Sequence, residues 1–190
     1  IFMYLASSTS VMGQYQDHSQ ISKKIEELGR QYPELCSVRS LVKTSGGKDI
    51  WVITIGTGTR DNKPGVAVVG GVEGKYLIGR ELTLGFAERI LSSSSEKEIM
   101  ELLSKITFYV FPDVSPDASD QFFSGLKYER SLNSRTTDDD RDFLFDEDPC
   151  EDLNKDGFIT LIRIKDPAGN FIESDEDKRL MATADISKGQ

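Results

Sequence analysis

An α/β fold, with a mixed and largely parallel sheet flanked by helices, is what this sequence predicts, and three observations predict it. The first is Gly65–Gly71, a valine-rich apolar run with glycines at both ends, which reads as a strand buried on both faces. The second is a change of period: Gly70, Gly71 and Gly74 break the pattern, and Leu77, Ile78, Leu82, Phe86, Ile90 and Leu91 then recur at helical spacing. The third is another apolar strand, Ile106–Phe111, stopped at Pro112. Strand, helix and strand in that order favour a right-handed crossover that sets Ile106–Phe111 beside Gly65–Gly71.

From the N-terminus, Ile1–Met12 passes from a short apolar run to small residues, so residues 1–14 read as a signal-peptide remnant or a disordered segment. Residues 15–190 read as one domain, the size a single core can organise. Ser19–Gln31 places Ile21, Ile25 and Leu28 on one face and stops before Tyr32-Pro33, as an amphipathic surface helix does. His18, the only histidine, reads as a surface residue beside it. Val38–Lys43 and Ile50–Thr57 are rich in β-branched residues and are separated by Ser45-Gly46-Gly47-Lys48-Asp49, the pattern of a hairpin. Ser95 followed by Glu98 has the form of a capping box ahead of Ile99, Met100, Leu102 and Leu103, which predicts a third helix. Val114-Ser115-Pro116-Asp117-Ala118 reads as a turn.

Charge and composition narrow the function. Lys+Arg 23 against Asp+Glu 32 gives a net charge of -9 and no basic stripe, which argues against nucleic acid as a partner. No run of ~20 apolar residues is available to span a bilayer. Cys36 and Cys150 are too far apart in sequence for spacing to say whether they pair. The turn Val72–Tyr76 comes after the carboxyl end of a strand, where open α/β sheets bind ligands; it is either a ligand site or a plain connection.

The most specific chemical signal is acidic. Asp152, Asn154 and Asp156 with Gly157 and Ile159 match the first part of an EF-hand calcium loop, in which alternate side chains converge on one ion and the carbonyl of Phe158 adds an oxygen. Position twelve, where that loop closes on a Glu, is Arg163. Asp138, Asp140, Asp142 and Asp146 repeat the alternation, with Phe143 where the glycine is expected. The two runs can complete one another's ligand sets across Pro149, and so many neighbouring carboxylates repel one another until a cation screens them. The segment of about 136–175 therefore reads as a small acidic calcium-loop insertion, with Phe158–Ile164 as a strand, Asp166-Pro167-Ala168-Gly169 as a turn and Phe171-Ile172 starting a return strand on the main sheet.

From roughly Tyr15 to Asp117 the helix ending at Tyr32-Pro33, the hairpin SGGKDIWVITIG, the strand and turn VAVVGGVEG, the helix LIGRELTLGFAERIL and the strand and turn YVFPDVSPD resemble, in that order, the N-terminal part of the zinc carboxypeptidases, the family 14 metallopeptidases. The resemblance implies a turn of the form Gly-x-His-x-x-Glu whose His and Glu bind zinc, with a third ligand, a His, from much later in the chain. Laid on this sequence, the His falls on Glu73 and the Glu on Tyr76, so both zinc positions are replaced. The family's general-base Glu, substrate-side Tyr and third ligand have no counterpart before Gln190. Its Asn-Pro-Asp-Gly turn appears as Ser115-Pro116-Asp117-Ala118, and its substrate-side Asn-Arg pair and arginine map only loosely, onto Asn133 with Arg135 and onto Arg130. Some bacterial members resemble the chain in carrying an insertion of the DDDRD and DLNKDG type.

The expectation is a catalytically degenerate relative, a calcium-stabilised domain that binds peptide or protein C-termini or serves as a scaffold, with zinc implied by the family alone. The alternative is an active metallocarboxypeptidase whose remaining site residues lie beyond Gln190. A weak calcium loop is filled at the millimolar calcium outside cells, so a secreted or periplasmic location is expected.

Overall fold

The structure, a computed structural model, describes residues 15–138, 140–146, 151–160, 164–178 and 180–184. They fall into two compact units, one ending at Ile159 and one beginning at Thr160, a division inside the segment read from sequence as one insertion.

In the first unit, helix α1 (His18–Gln31) starts at a closed capping box: the Asp17 carboxylate accepts from Gln20 N at 2.8 Å while the Gln20 side chain accepts from Asp17 N at 2.8 Å. Its buried face is Ile21, Ile25 and Leu28, as the spacing predicts. Strands β1 (Cys36–Lys43) and β2 (Asp49–Ile55) form the antiparallel hairpin, turning at Gly47, whose φ of 76 suits a residue without Cβ. Strand β3 (Gly65–Val69) leads to helix α2 (Ile78–Ser92), then helix α3 (Lys97–Lys105), strand β4 (Thr107–Phe111) and a single helical turn, α4 (Pro116–Ser119), where the sequence suggests a plain turn. The sheet order is β1-β2-β4-β3, with β2 antiparallel and β3 parallel to β4. The core lies between one sheet face (Cys36, Ile53, Ile55, Phe108, Val110) and the helices (Ile21, Ile25, Leu84, Ala87, Leu91, Leu103). Burial within it pushes the free Cys36 thiol up to about 11, so it packs as an inert small hydrophobe.

Three expectations are corrected. Strand β3 is not buried on both faces: among the described residues it pairs only with β4, and Gly65, Val66, Ala67 and Val69 are exposed. The buried face of α2 is Arg80, Thr83, Leu84, Ala87 and Leu91, while Ile78 and Leu82 are 52% and 65% exposed. A buried ion pair with Asp113 holds Arg80 inward, which turns Ile78 and Leu82 toward the exposed side of the helix. Finally, Ser95 and Glu98 do not box α3; Glu96 is its N-cap and makes no side-chain cap bond.

In the second unit, β5 (Phe171–Glu173) pairs antiparallel with β6 (Met181–Thr183). Phe171-Ile172 thus turns forward to a later strand rather than back to Phe158–Ile164, of which residues 161–163 lie outside the described residues. So do residues 1–14, Pro149, Cys150 and Arg163.

Candidate functional site

The parallel ladder continues past β3 and β4 and fixes the loops beyond them. Gly70 N donates to Phe111 O at 2.8 Å and Val114 N donates to Gly70 O at 3.3 Å, so the ends of β3 and β4 run side by side. Gly71 sits at φ 58, and a Cβ there would lie 2.5 Å from Asp113 Oδ1. A Cβ on Gly74 would lie 2.3 Å from the Ala118 Cβ. The turn Val72–Tyr76 is therefore pressed against Asp113 on one side and α4 on the other.

Beneath it lies a buried polar cluster. Arg80, fully buried, donates to Asp113 Oδ2 at 3.3 Å and to Ser119 Oγ at 3.0 Å, and also to the Gln16 carbonyl. Ser119 Oγ in turn donates to Asp113 Oδ2 at 2.6 Å, and Ser115 N donates to Asp113 Oδ1 at 3.1 Å. The Arg80 guanidinium lies 5.1 Å from the Phe123 ring centre. Beside this cluster, buried Asp117 accepts from Thr44 Oγ1 at 2.7 Å, Gly46 N at 3.2 Å and Ser134 N at 2.9 Å, which ties the β1–β2 turn and the chain after α4 to one carboxylate. Burial alone would raise the Asp117 pKa; these donors and Lys48 outweigh it and hold it below the ordinary value. His18 is half-buried rather than on the open surface: burial lowers its pKa, Asp113 and Asp120 oppose the shift, and its Nδ1 has no hydrogen-bond partner among the described residues. The sequence pattern misses this cluster, because Arg80 and Asp113 are 33 residues apart and Thr44 and Asp117 are 73 apart.

The expected zinc positions carry little that would hold zinc. Glu73 and Tyr76 are both exposed, the Tyr76 amide donates to the Glu73 carbonyl at 3.0 Å, and Lys75 Nζ lies 5.1 Å from the Tyr76 ring centre. A phenol is a poor zinc ligand, and among the described residues the only three-membered group of His, Cys, Asp or Glu able to converge on a metal lies elsewhere. The donor set does not fit a tight zinc site. Arg130 donates to Asn133 O at 2.7 Å, and Asn133 Oδ1 accepts from Arg135 N at 3.0 Å, so the two loosely mapped arginines frame their own loop.

That converging group is Asp138, Asp140 and Asp142, whose carboxylates offer oxygens within 4.8 Å of one another. The two acidic loops are structural copies. Asp138 accepts from Asp142 N at 3.1 Å and Phe143 N at 3.0 Å; Asp152 accepts from Asp156 N at 3.3 Å and Gly157 N at 2.8 Å. Asp140 and Asn154 each accept from the residue two ahead, as do Asp142 and Asp156. The fourth and sixth residues of both loops, Arg141 and Phe143 in one and Lys155 and Gly157 in the other, have φ of 67, 75, 60 and 84. Asp146 closes the first loop by accepting from Thr137 N at 3.0 Å. The second is tied to the chain after α4 by a bridge in which Lys127 N donates to Gly157 O and Ile159 N to Lys127 O, each at 2.9 Å.

A sequence profile of the zinc carboxypeptidases matches residues 21–161. The chain belongs to the zinc carboxypeptidase family. Carboxypeptidase E of Caenorhabditis elegans is 30% identical over 110 residues, covering 55% of this chain and 23% of the worm protein. Carboxypeptidase B of Astacus astacus is 26% identical over 154 residues, covering 73% of this chain and 50% of its own length. The carboxypeptidase-family chain thus spans half or less of these relatives. Among solved structures, bovine thrombin-activatable fibrinolysis inhibitor in complex with tick carboxypeptidase inhibitor superimposes with a TM-score of 0.54 at 17% identity, over 70% of this chain and 40% of that one, a likeness of fold. Among the described residues no helix is long and apolar enough to cross a membrane.

Proposed function

We propose that this member of the family is catalytically degenerate and acts as a calcium-stabilised domain that binds peptide or protein C-termini or serves as a scaffold outside the cytosol. The observation that carries the reading is the pair Glu73 and Tyr76: an exposed carboxylate and an exposed phenol occupy the turn where the family places its zinc ligands. The buried cluster of Arg80, Asp113 and Ser119 lies beneath that turn and fixes the end of β4 to α2. Calcium is supported by the duplicated loop geometry and by the gathering of Asp138, Asp140 and Asp142. A second reading, an active metallocarboxypeptidase completed by further chain, is favoured by the span of half or less of the relatives.

Metal analysis of the purified protein by mass spectrometry, together with hydrolysis of C-terminal peptide substrates, separates the two. The degenerate reading expects no stoichiometric zinc and no cleavage. One tightly held zinc per chain that is lost on Glu73→Ala would sink it.

A further inference from the structure

Strand alternation leaves a second sheet face opposite the core. Cys36, Ile55 and Phe108 point to the helices, so their neighbours Ser37, Thr54 and Tyr109, which are aligned across β1, β2 and β4, point the other way. On that face they line a cavity of about 420 Å³ together with Arg39, Arg60 and Asp61. It lies toward the start of β3, at the opposite end of that strand from the turn Val72–Tyr76.

Its charge is unusual for a chain of net -9. Arg60 is fixed by three neutral acceptors: Nε donates to Gly56 O at 3.0 Å, Nη1 to Ser37 Oγ at 3.1 Å and Nη2 to Glu34 O at 3.0 Å. A guanidinium carries five N–H donors, so two remain. Ser37 Oγ accepts from Arg60 and keeps its own proton for a ligand. The Arg39 side chain has no hydrogen bond or ion pair to any described residue. Among the described residues Asp61 is the one carboxylate lining the cavity, and it is engaged by Tyr109 OH at 3.2 Å. Two guanidinium groups therefore line the cavity with one occupied carboxylate and the hydroxyls of Ser37 and Thr54.

We propose that this cavity binds a phosphate-type oxyanion, either the free ion or the head of a phosphate monoester. Arg60 is the preorganised half of the clamp, Arg39 closes on the ligand from β1, and the two hydroxyls donate to the remaining oxygens. Asp61 opposes the ligand's charge and keeps binding modest.

Titration calorimetry of the full chain with inorganic phosphate, at ionic strength held constant with chloride, tests this. Saturable one-site binding is expected. Arg39→Gln, whose side chain has no structural partner to lose, weakens it by about tenfold or more, the scale of one charge-assisted hydrogen bond. Asp61→Asn tightens it, and Lys97→Gln, an exposed cation on another element, leaves it unchanged. Binding of glycerol 3-phosphate as strong as that of phosphate assigns the site to monoesters; markedly weaker binding assigns it to the free ion. Absence of saturable binding, or an affinity that Arg39→Gln does not alter, overturns the proposal.

Discussion

Arg80 Nη1 lies 3.3 Å from Asp113 Oδ2, with both side chains shut away from solvent, and this pair joins the first turn of α2 to the end of β4. Desolvating two charges is expensive, so such a pair contributes little net stability while its partial removal is severe. Arg80→Met is expected to lower unfolding free energy by about 3–5 kcal/mol, because Asp113 is then a buried charge with only Ser119 and Ser115 N to compensate it. The double variant Arg80→Met with Asp113→Asn recovers part of the loss. Denaturant unfolding of the wild type, both single variants and the double variant reads the coupling directly; additive losses would show the pair does not act as a unit.

Stability has two acid-side steps. His18 has a folded pKa below its ordinary 6.5, so the unfolded chain binds the proton more readily; stability is full above that value and declines as pH falls through the folded pKa. Asp117, held below its ordinary 3.8, contributes stability above that value that is lost as pH falls further. Melting temperatures measured from pH 7 to about pH 2 should show both steps, and His18→Gln should flatten only the first.

Calcium is expected to raise the melting temperature. Ions that bind the native loops and not the unfolded chain add about 2.7 kcal/mol at a hundredfold excess over Kd. Asp156→Ala should remove most of the shift without altering the calcium-free melt, and Asp175→Ala, 94% exposed and paired with Lys178 in the same turn, should change little. Equal shifts from magnesium and calcium would reduce the segment to a screened acidic surface.

Phe143 holds a φ of 75, a region that disfavours bulky side chains, and the residue is 86% exposed. Phe143→Gly should therefore relieve about 1 kcal/mol of backbone strain at little packing cost, less the gain in unfolded-state entropy. It should tighten the first loop's calcium affinity. Gly157→Ala, at φ 84 in the matching position, should do the reverse in the second, and the two affinities are separable by titration.

Gly74→Ala forces a Cβ to 2.3 Å from the Ala118 Cβ and 2.7 Å from Ser119 N, so a loss of about 1–3 kcal/mol is expected from overpacking. Gly85→Ala meets nothing within 4 Å and sits mid-helix, where about 0.5–1 kcal/mol should be gained. Thermal unfolding of both variants checks the contrast.

Local chemistry was legible in the sequence and distant chemistry was not. The hairpin follows from β-branched runs, β4 from an apolar run stopped at Pro112, and the duplicated loops from alternating carboxylates, because the residues that define each are neighbours in the chain. Arg80 hides within an apolar helix pattern because its partner is 33 residues away. The same ion pair holds Arg80 inward and turns Ile78 and Leu82 toward the exposed side of the helix. The valines of β3 announce burial on both faces, yet Val66 and Val69 are 40% and 49% exposed, because a run of valines says nothing of which strands flank it. Ser95 and Glu98 have the spacing of a box but not the backbone that closes one.

The bridge between Lys127 and Phe158 has a cost that belongs to polymer physics. Closing a ring of that length takes about 3 kcal/mol of chain entropy, while its two hydrogen bonds return about 1 kcal/mol each. Ser134 N, held by Asp117, shortens the free span and narrows the gap. The Lys127 ammonium, 5.5 Å from the Phe158 ring centre, adds to the two bonds, so closure and its cost nearly cancel, and a ligand contributing about one or two kcal/mol to the second acidic loop would match the whole net energy of the bridge.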